Sequence, residues 1–386
     1  MNKLRLFAIA LAVSALAFTS CKKDDSDAPT SSETVYVLGT YNTESFLMTN
    51  DQIHYYRRAD ERKVAAIDMD VRDNGDVYVV GLLNAPLSYG EPPQSILFKN
   101  NVECSEYSFD ASVFSGIAFK ENGDMIIAGL QWGQPVVWDG TNVQYLPVIP
   151  KDDINVWIVS SIEYVDGNEF IVGTCVDTAN VCTPVVWMNR QLVEVGLMDN
   201  ASTIAYAGTL THGTDFKLVG SYVDADGNIK ACEYNSQQHG FSNIPYRWPG
   251  SNESRVYGEV NSSKWNDASG SIYSLVTECY SEGYIDPITG EIGAIDTISG
   301  GFYILKDGQV MPQSIYQYPK ENTLASIIDM TMNSEGQIVA VGTLYDNEYQ
   351  GVRPAYWVDG ECHIINPDRP YDDGVASRVI IKNIKK

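Results

Sequence analysis

The segment QPVVWDG (134–140) recurs as TPVVWMN (183–189) and returns, altered, as RPAYWVDG (353–360). Reading backwards from each copy gives one grammar. GIAFKENGDMIIAGLQWG precedes the first from Gly116, SIEYVDGNEFIVGTCVDTANVC the second from Ser161, and IIDMTMNSEGQIVAVGTLYDNEYQGV the third from Ile327. Each holds a short apolar strand, a tight turn at NG, DGN or SEG, and a second strand ending in Gly. A loop, the PVVW strand, another tight turn and a fourth strand such as VQYLPV (143–148) complete the unit. Turns of this composition reverse a strand within a few residues. PVVW is therefore expected to be the third strand of a four-stranded antiparallel unit. Pro begins it, where a missing N–H does least harm. Val136 and Trp138 point to one side, Pro135 and Val137 to the other, and the Trp fills a gap between stacked units rather than a ligand site.

Looser copies start at Ala66 (AIDMDVRDNGDVYVVGLL), Tyr206 (YAGTLTHGTDFKLVGSYVDADGNIKACEYN) and Val256 (VYGEVNSSKWNDASGSIYSLVTECY). The second-strand glycine recurs at Gly39, Gly81, Gly129, Gly173, Gly220 and Gly342. One unit departs, with Thr277 or Glu278 near the expected place and an insertion SEGYIDPITGEIGAIDTIS (281–299). The chain ends complement each other. TVYVLGTYNTESFLMTNDQIHYY (34–56) has strands two to four but no first strand, and VASRVIIKN (375–383) has a first strand alone. Joined, they make a seventh unit. Four-stranded units spaced by about 40–50 residues are the signature of a β-propeller. The chain thus resembles an all-β, seven-bladed β-propeller with four-stranded blades, the last blade closed by the N- and C-terminal strands. Two β-sandwich domains are the competing architecture, and they leave the repeat and the complementary ends unexplained. WD and kelch signatures are absent, so the resemblance names no functional family.

The formal net charge is −24, with 50 Asp and Glu against 26 Lys and Arg spread along the chain. Such a surface repels nucleic acid and anionic lipid, so neither is expected as a partner. With 44% hydrophobic and 20% charged residues the chain supports a packed core. Residues 1–20 carry Lys3 and Arg5, then an apolar run (6–18) too short to span a bilayer, then FTSC ending at Cys21. This resembles the lipobox of bacterial lipoproteins, and KKDDSD (22–27) resembles the acidic surface-export tag of Bacteroidetes-type lipoproteins. The resemblance implies a signal peptide over 1–20, lipidation (palmitate among the acyl groups) at Cys21, a flexible tether over 21–33 and a propeller over 34–386. It implies a location at the outer membrane, held by the lipid alone and displayed at the surface or toward the periplasm. An ordinary secretory signal is the alternative.

Cys175 and Cys182 flank VDTANV and are candidates for a disulfide across a hairpin loop, or else buried free thiols. The other cysteines show no CxxC metal spacing; no metal and no cofactor is expected. Long connections, LLNAPLSYGEPPQ (82–94), PVIPKDDINVW (147–157), PYRWPGSNESR (245–255), QSIYQYPKENTL (313–324), TLYDNEYQGVR (343–353) and NPDRPYDDG (366–374), all fall on one face of the disc. Their aromatics beside Asp and Asn suit a sugar ring or a protein partner, and Trp132, Trp157, Trp248 and Tyr349 are the candidate binding residues. AIDMD (66–70) and IIDMT (327–331) align, placing Asp68 and Asp329 at one height on channel-lining strands, with Glu259 and Arg378 near that level. Facing carboxylates suit a cation or acid–base work on a glycoside; solvated charge paired with Arg378 is the plainer alternative. There is no HExxH, GxSxG or phosphate-cradling loop. The expected function is a non-enzymatic binding module for a glycan or surface protein on the long-loop face. The alternatives are a glycan-processing hydrolase or lyase using Asp68, Asp329, Glu259 and Arg378, and a structural subunit of an outer-membrane complex.

Overall fold

A computed structural model describes residues 32–384 outside several loops (chiefly 85–91, 196–200, 210–214, 224–228, 248–253, 256–258, 267–269, 283–295, 312–322, 347–350 and 366–372) and a few isolated positions. Seven antiparallel sheets follow one another, each with four strands side by side, and one of them, blade 1 below, adds a short fifth strand, Phe109–Asp110. Their inner strands are Lys63–Val71, Ser112–Phe119, Ile154–Val165, Ala201–Thr209, Glu259–Asn266, Thr323–Met332 and Gly374–Ile384, defining blades 1 to 7. Two short strands, Tyr246–Arg247 and Ser254–Arg255, pair with each other as a separate sheet. Blade 7 is the split one. Its inner strand Gly374–Ile384 pairs antiparallel with Ser32–Tyr41 from Ser32↔Ile384 to Tyr41↔Gly374, so the two ends of the chain close the ring. The chain is a seven-bladed β-propeller.

The repeated word is the third strand of its blade. Gln134–Trp138, Cys182–Met188 and Gly351–Val358 each pair with the Gly-bearing second strand. Buried apolar side chains among the described residues form seven clusters, one at each seam between blades. Every PVVW tryptophan faces the preceding blade. Trp138 packs with blade 1, Trp187 with blade 2 and Trp357 with blade 5. Trp187 and Trp357 are fully enclosed, at 0% and 1% exposure. The alternate residue Val137 packs forward into blade 3, and Tyr356 into blade 7. A propeller strand is apolar on both sides for this reason.

The recurring glycine has a backbone cause. In every blade but the fourth, the inner strand carries a β-bulge at a common position: at Ile67, Ser115, Ser160, Asn261, Ile328 and Ser377, the residues skipped in the pairing. The residue just before each bulge faces the second-strand position where glycine recurs. A Cβ on Gly342 would lie 1.9 Å from the Ser326 carbonyl oxygen, and one on Gly173 2.3 Å from that of Ile158. The bulge drives main chain over that position. In blade 5 the register puts Val276 there, opposite Val260, so the departing residue is Val276 and not Thr277 or Glu278.

One open alternative is decided and one expectation about local structure is corrected. Cys175 and Cys182 are free thiols. Cys175 stands opposite Thr183 while Cys182 stands opposite Val176, so the pleat sends the two sulfurs to opposite faces of blade 3. The 147–157 connection is also shorter than expected. The inner hairpin of blade 3 is extended, with Ile154 already paired to Asp177, so Trp157 belongs to a strand.

Candidate functional site

The central channel holds a collar of charge. Asp68, Arg378 and Asp329 are the residues immediately after the bulge in blades 1, 7 and 6, and Ser262 holds that place in blade 5. Asp68 Oδ1 lies 2.8 Å from Arg378 Nε, and its Oδ2 accepts the Ile117 N–H of blade 2 at 3.1 Å. Asp329 Oδ2 accepts the Val379 N–H of blade 7 at 3.0 Å and lies 3.7 Å from Arg378 Nη1; its Oδ1 accepts the Ser262 hydroxyl at 2.6 Å. Arg378 Nη2 also reaches across the channel to Glu163 Oε1, 4.0 Å away on blade 3. One polar chain thus runs from blade 5 through blades 6, 7 and 1 to blade 2. Glu259 is not at this level. It lies three residues before Ser262, opposite Thr277, and its side chain is outside the described residues.

The two carboxylates are 6% and 3% exposed. Burial raises the Asp68 carboxyl above the ordinary aspartate value, opposed by Arg378 and the Ile117 N–H. Burial acts the same way on Asp329, but Lys264, Arg378, the Ser262 hydroxyl and the Val379 N–H together hold it below that value. Asp68 beside Arg378 raises the guanidinium further, so Arg378 is charged at every accessible pH. One pleat further along blade 1, Asp70 Oδ2 accepts the Phe119 N–H at 3.2 Å and Oδ1 the Val71 N–H at 2.7 Å. Burial outweighs Lys382 and the Val71 N–H and pushes Asp70 up to about 6. Asp68 Oδ2 and both oxygens of Asp329 accept hydrogen bonds from Ser262 or the neighbouring main chain, and Asp68 Oδ1 is in ion-pair contact with Arg378. In this arrangement the collar joins blades. The sequence shows the aligned aspartates, but not that their partners are main-chain N–H groups one blade on.

The opposite pattern marks the long-loop face. Trp132 and Gly133 form the two-residue turn between the second and third strands of blade 2, with φ of 52° and 75°. Both central residues of a type I′ turn need positive φ, which favours Asn, Asp and Gly. In six other two-residue hairpins of the described chain the first position is Asn50, Asn100, Asp166, Asn189, Asp307 or Asp359. A tryptophan there is strained, and at 69% exposure it gains no burial in return. Tyr145, on the outer strand of the same blade, is 49% exposed, and its hydroxyl lies 3.5 Å from Gln131 Oε1, next to the turn. Val148 follows at 45%, and Val156 and Ile158 of blade 3 are 45% and 46% exposed. Trp157 stands differently: half-buried, its ring is 6.3 Å from that of Trp187, whose Nε1–H donates to the Pro147 carbonyl at 2.6 Å. It belongs to the seam between blades 2 and 3. Trp248 and Tyr349 lie outside the described residues.

No known protein family matches the sequence, and no curated protein resembles it. Among solved structures the chain is similar to TolB from Acinetobacter baumannii, at 9% identity and a TM-score of 0.40 over 81% of this chain and 66% of that one. It is similar to the dihydro-heme d1 dehydrogenase NirN at 11% identity and a TM-score of 0.42, covering 96% and 78% of the two chains. For a prolyl endopeptidase the figures are 12% identity, a TM-score of 0.45, and 87% and 50% coverage; this chain thus spans half of that protein's length. These are likenesses of fold, and no activity is carried across from them.

Proposed function

We propose that the protein is a lipid-anchored binding module of the bacterial outer membrane that takes a protein partner on the long-loop face of its disc, centred on Trp132. The observation that carries this is an exposed tryptophan kept in a strained turn position where Asn or Asp serves elsewhere in the chain. Strain retained without burial is a mark of function, and Tyr and Trp with a desolvatable apolar surround are the composition of interface hot spots. The exposed apolar side chains of Val148 on the same blade, and of Val156 and Ile158 on blade 3, favour a protein over a sugar, whose hydroxyls call for polar walls. The anchoring half of the proposal rests on FTSC (18–21) and the acidic segment behind it.

Two experiments test it. Cys21→Ser is expected to move the protein from the membrane to the soluble fraction and to abolish palmitate labelling; a membrane-bound, unlabelled variant argues against the lipid anchor. Cross-linking and affinity capture from native envelopes is expected to recover a discrete partner with the wild type and to lose it with Trp132→Ala. Capture that ignores Trp132 refutes the site. A Trp132-dependent signal on a glycan array in place of a protein partner replaces the ligand class and keeps the face.

A further inference from the structure

Both ends of the described chain leave the disc on one side. Gly374 enters blade 7 from the long-loop face, so the paired residues Ser32 and Ile384 lie at the short-turn face. Two contacts fix this independently. Glu33 Oε1 accepts the Ser334 N–H at 2.6 Å, in the first-to-second strand turn of blade 6. In the corresponding turn of blade 1, a Cβ on Gly75 would meet the Ile384 side chain at 3.4 Å. The Trp132 turn, between second and third strands, belongs to the opposite face.

Cys21 stands eleven residues before Ser32. Residues 21–31 lie outside the described residues. Whatever their conformation, a chain advances at most about 3.3–3.6 Å per residue, so this stretch reaches no further than about 36–40 Å from Ser32. The strand Ser32–Tyr41 runs from one face to the other, and its ten residues make the disc about 30 Å thick there. To lay the long-loop face on a bilayer that holds Cys21, the chain must pass outward under the third and fourth strands of blade 7, about 5 Å each, and then climb that thickness. A path of about 40 Å uses the whole reach before any side chain on the rim is rounded. The inner route, up the channel, is barred by Arg378 and Glu163, which meet across it at 4.0 Å. With the short-turn face toward the bilayer the path is short and unobstructed. The turn tips on that face expose Asp73, Glu121, Asp166 and Glu335. Charged side chains stay hydrated and do not enter lipid. At physiological salt their repulsion from anionic headgroups fades within about 8 Å. It sets a small standoff and does not turn the disc over.

We infer that the length of the tether holds the disc with its short-turn face toward the bilayer and its Trp132 face away from it, so that the partner on Trp132 is a water-exposed domain approaching from the side opposite the membrane. This rests on the lipid anchor at Cys21 proposed above.

Energy transfer to a labelled bilayer tests the inference. Glu121 and Gln134 are exposed at the short-turn and long-loop ends of blade 2. The strand between them, Met125–Gln131, separates their heights by about 23 Å. Each is replaced in turn by an azide-bearing amino acid and coupled to the same donor dye. The lipidated full-length protein is then bound to vesicles of phosphatidylethanolamine and phosphatidylglycerol that carry an acceptor dye on the outer headgroups. Transfer is expected to be at least about twofold stronger from position 121 than from position 134 at that difference in height. Inserting about twenty Gly and Ser residues after Ser31 frees the disc to turn over and is expected to shrink the difference. Protein that does not float with the vesicles overturns the anchor and the orientation with it. Floating protein whose two positions transfer equally, or with 134 the stronger, overturns the orientation alone. So does a difference that the longer tether leaves unchanged, since tether length then does not set it.

Discussion

Asp70 shows how a single carboxylate reports burial between blades. Both of its oxygens accept main-chain N–H groups, from Val71 in its own strand and Phe119 in the next blade. Burial nonetheless lifts it to about 6. A folded-state value above the unfolded one means that the folded protein holds the proton more tightly. The stabilising contribution is complete below about pH 4 and is lost as pH rises through about 6. The shift corresponds to at most about 3 kcal/mol between those limits. Asp70→Asn removes this titration. An amide can accept only one of the two N–H groups, so the variant carries a cost, but that cost is independent of pH. Thermal melts of both proteins from pH 4 to pH 7.5 are expected to show the wild type's margin over Asp70→Asn shrinking as pH rises; a constant margin contradicts the assignment. Asp329 has the opposite sign, since Lys264 and Arg378 hold it low, and its contribution fades only in acid. The aligned aspartates were legible in AIDMD and IIDMT as a pair at one height. Which of them would sit high and which low was not, because Lys264 and Glu163 enter the channel from blades that the alignment of those two segments does not include.

The strand and the turn are the scale at which most of the fold could be read. PVVW, the glycine series and the tight-turn pairs fixed strand order because each has a local cause: a Pro at a strand start, a Trp facing the preceding blade, an Asn or Gly at positive φ. What the pattern could not convey was the bulge. Gly342 and Gly173 look like strand-end punctuation in sequence, yet each is small because a carbonyl of the adjacent strand would meet its Cβ at 1.9 and 2.3 Å. The choice between a disulfide and free thiols at Cys175 and Cys182 was open at the same level, since one residue of register decides the face a cysteine occupies. Two tryptophans of this chain make opposite predictions. Trp187 is fully buried in the seam between blades 2 and 3, and Trp187→Ala is expected to cost about 3–5 kcal/mol in chemical denaturation. Trp132→Asn puts the preferred residue into a type I′ turn, and is expected to leave stability unchanged or raise it by up to about 1 kcal/mol while abolishing partner capture. Loss of stability in Trp132→Asn would mean that the indole packs, and that its place in the turn is structural.

At the scale of the whole molecule, seven seams must close around one axis, and the chain ends meet in only one of the blades. Gly374–Ile384 supplies the inner strand of blade 7 and Arg378 of the collar, and through Val379 N–H it also caps Asp329. Closure and charge are therefore coupled: without this strand, Asp68 and Asp329 lose the guanidinium they share while remaining between apolar blade faces. An uncompensated buried carboxylate is far costlier than a missing ion pair between exposed groups. Two variants separate the parts. Arg378→Leu keeps the strand and removes the charge, and is expected to destabilise the ring by about 3–5 kcal/mol, with part of the loss recovered when Asp68→Asn is added. Truncation after residue 373 removes both, leaving Ser32–Tyr41 as an open edge of the kind that recruits foreign strands. The truncated chain is expected to lose cooperative unfolding and to aggregate, and a synthetic peptide of residues 374–386 added in trans to restore the cooperative transition, because the missing strand is continuous and pairs along its whole length. The same peptide carrying Arg378→Leu should restore it less well than the native peptide. If both peptides rescue equally, the collar contributes nothing to closure and the ring is held by its backbone ladder and seams alone.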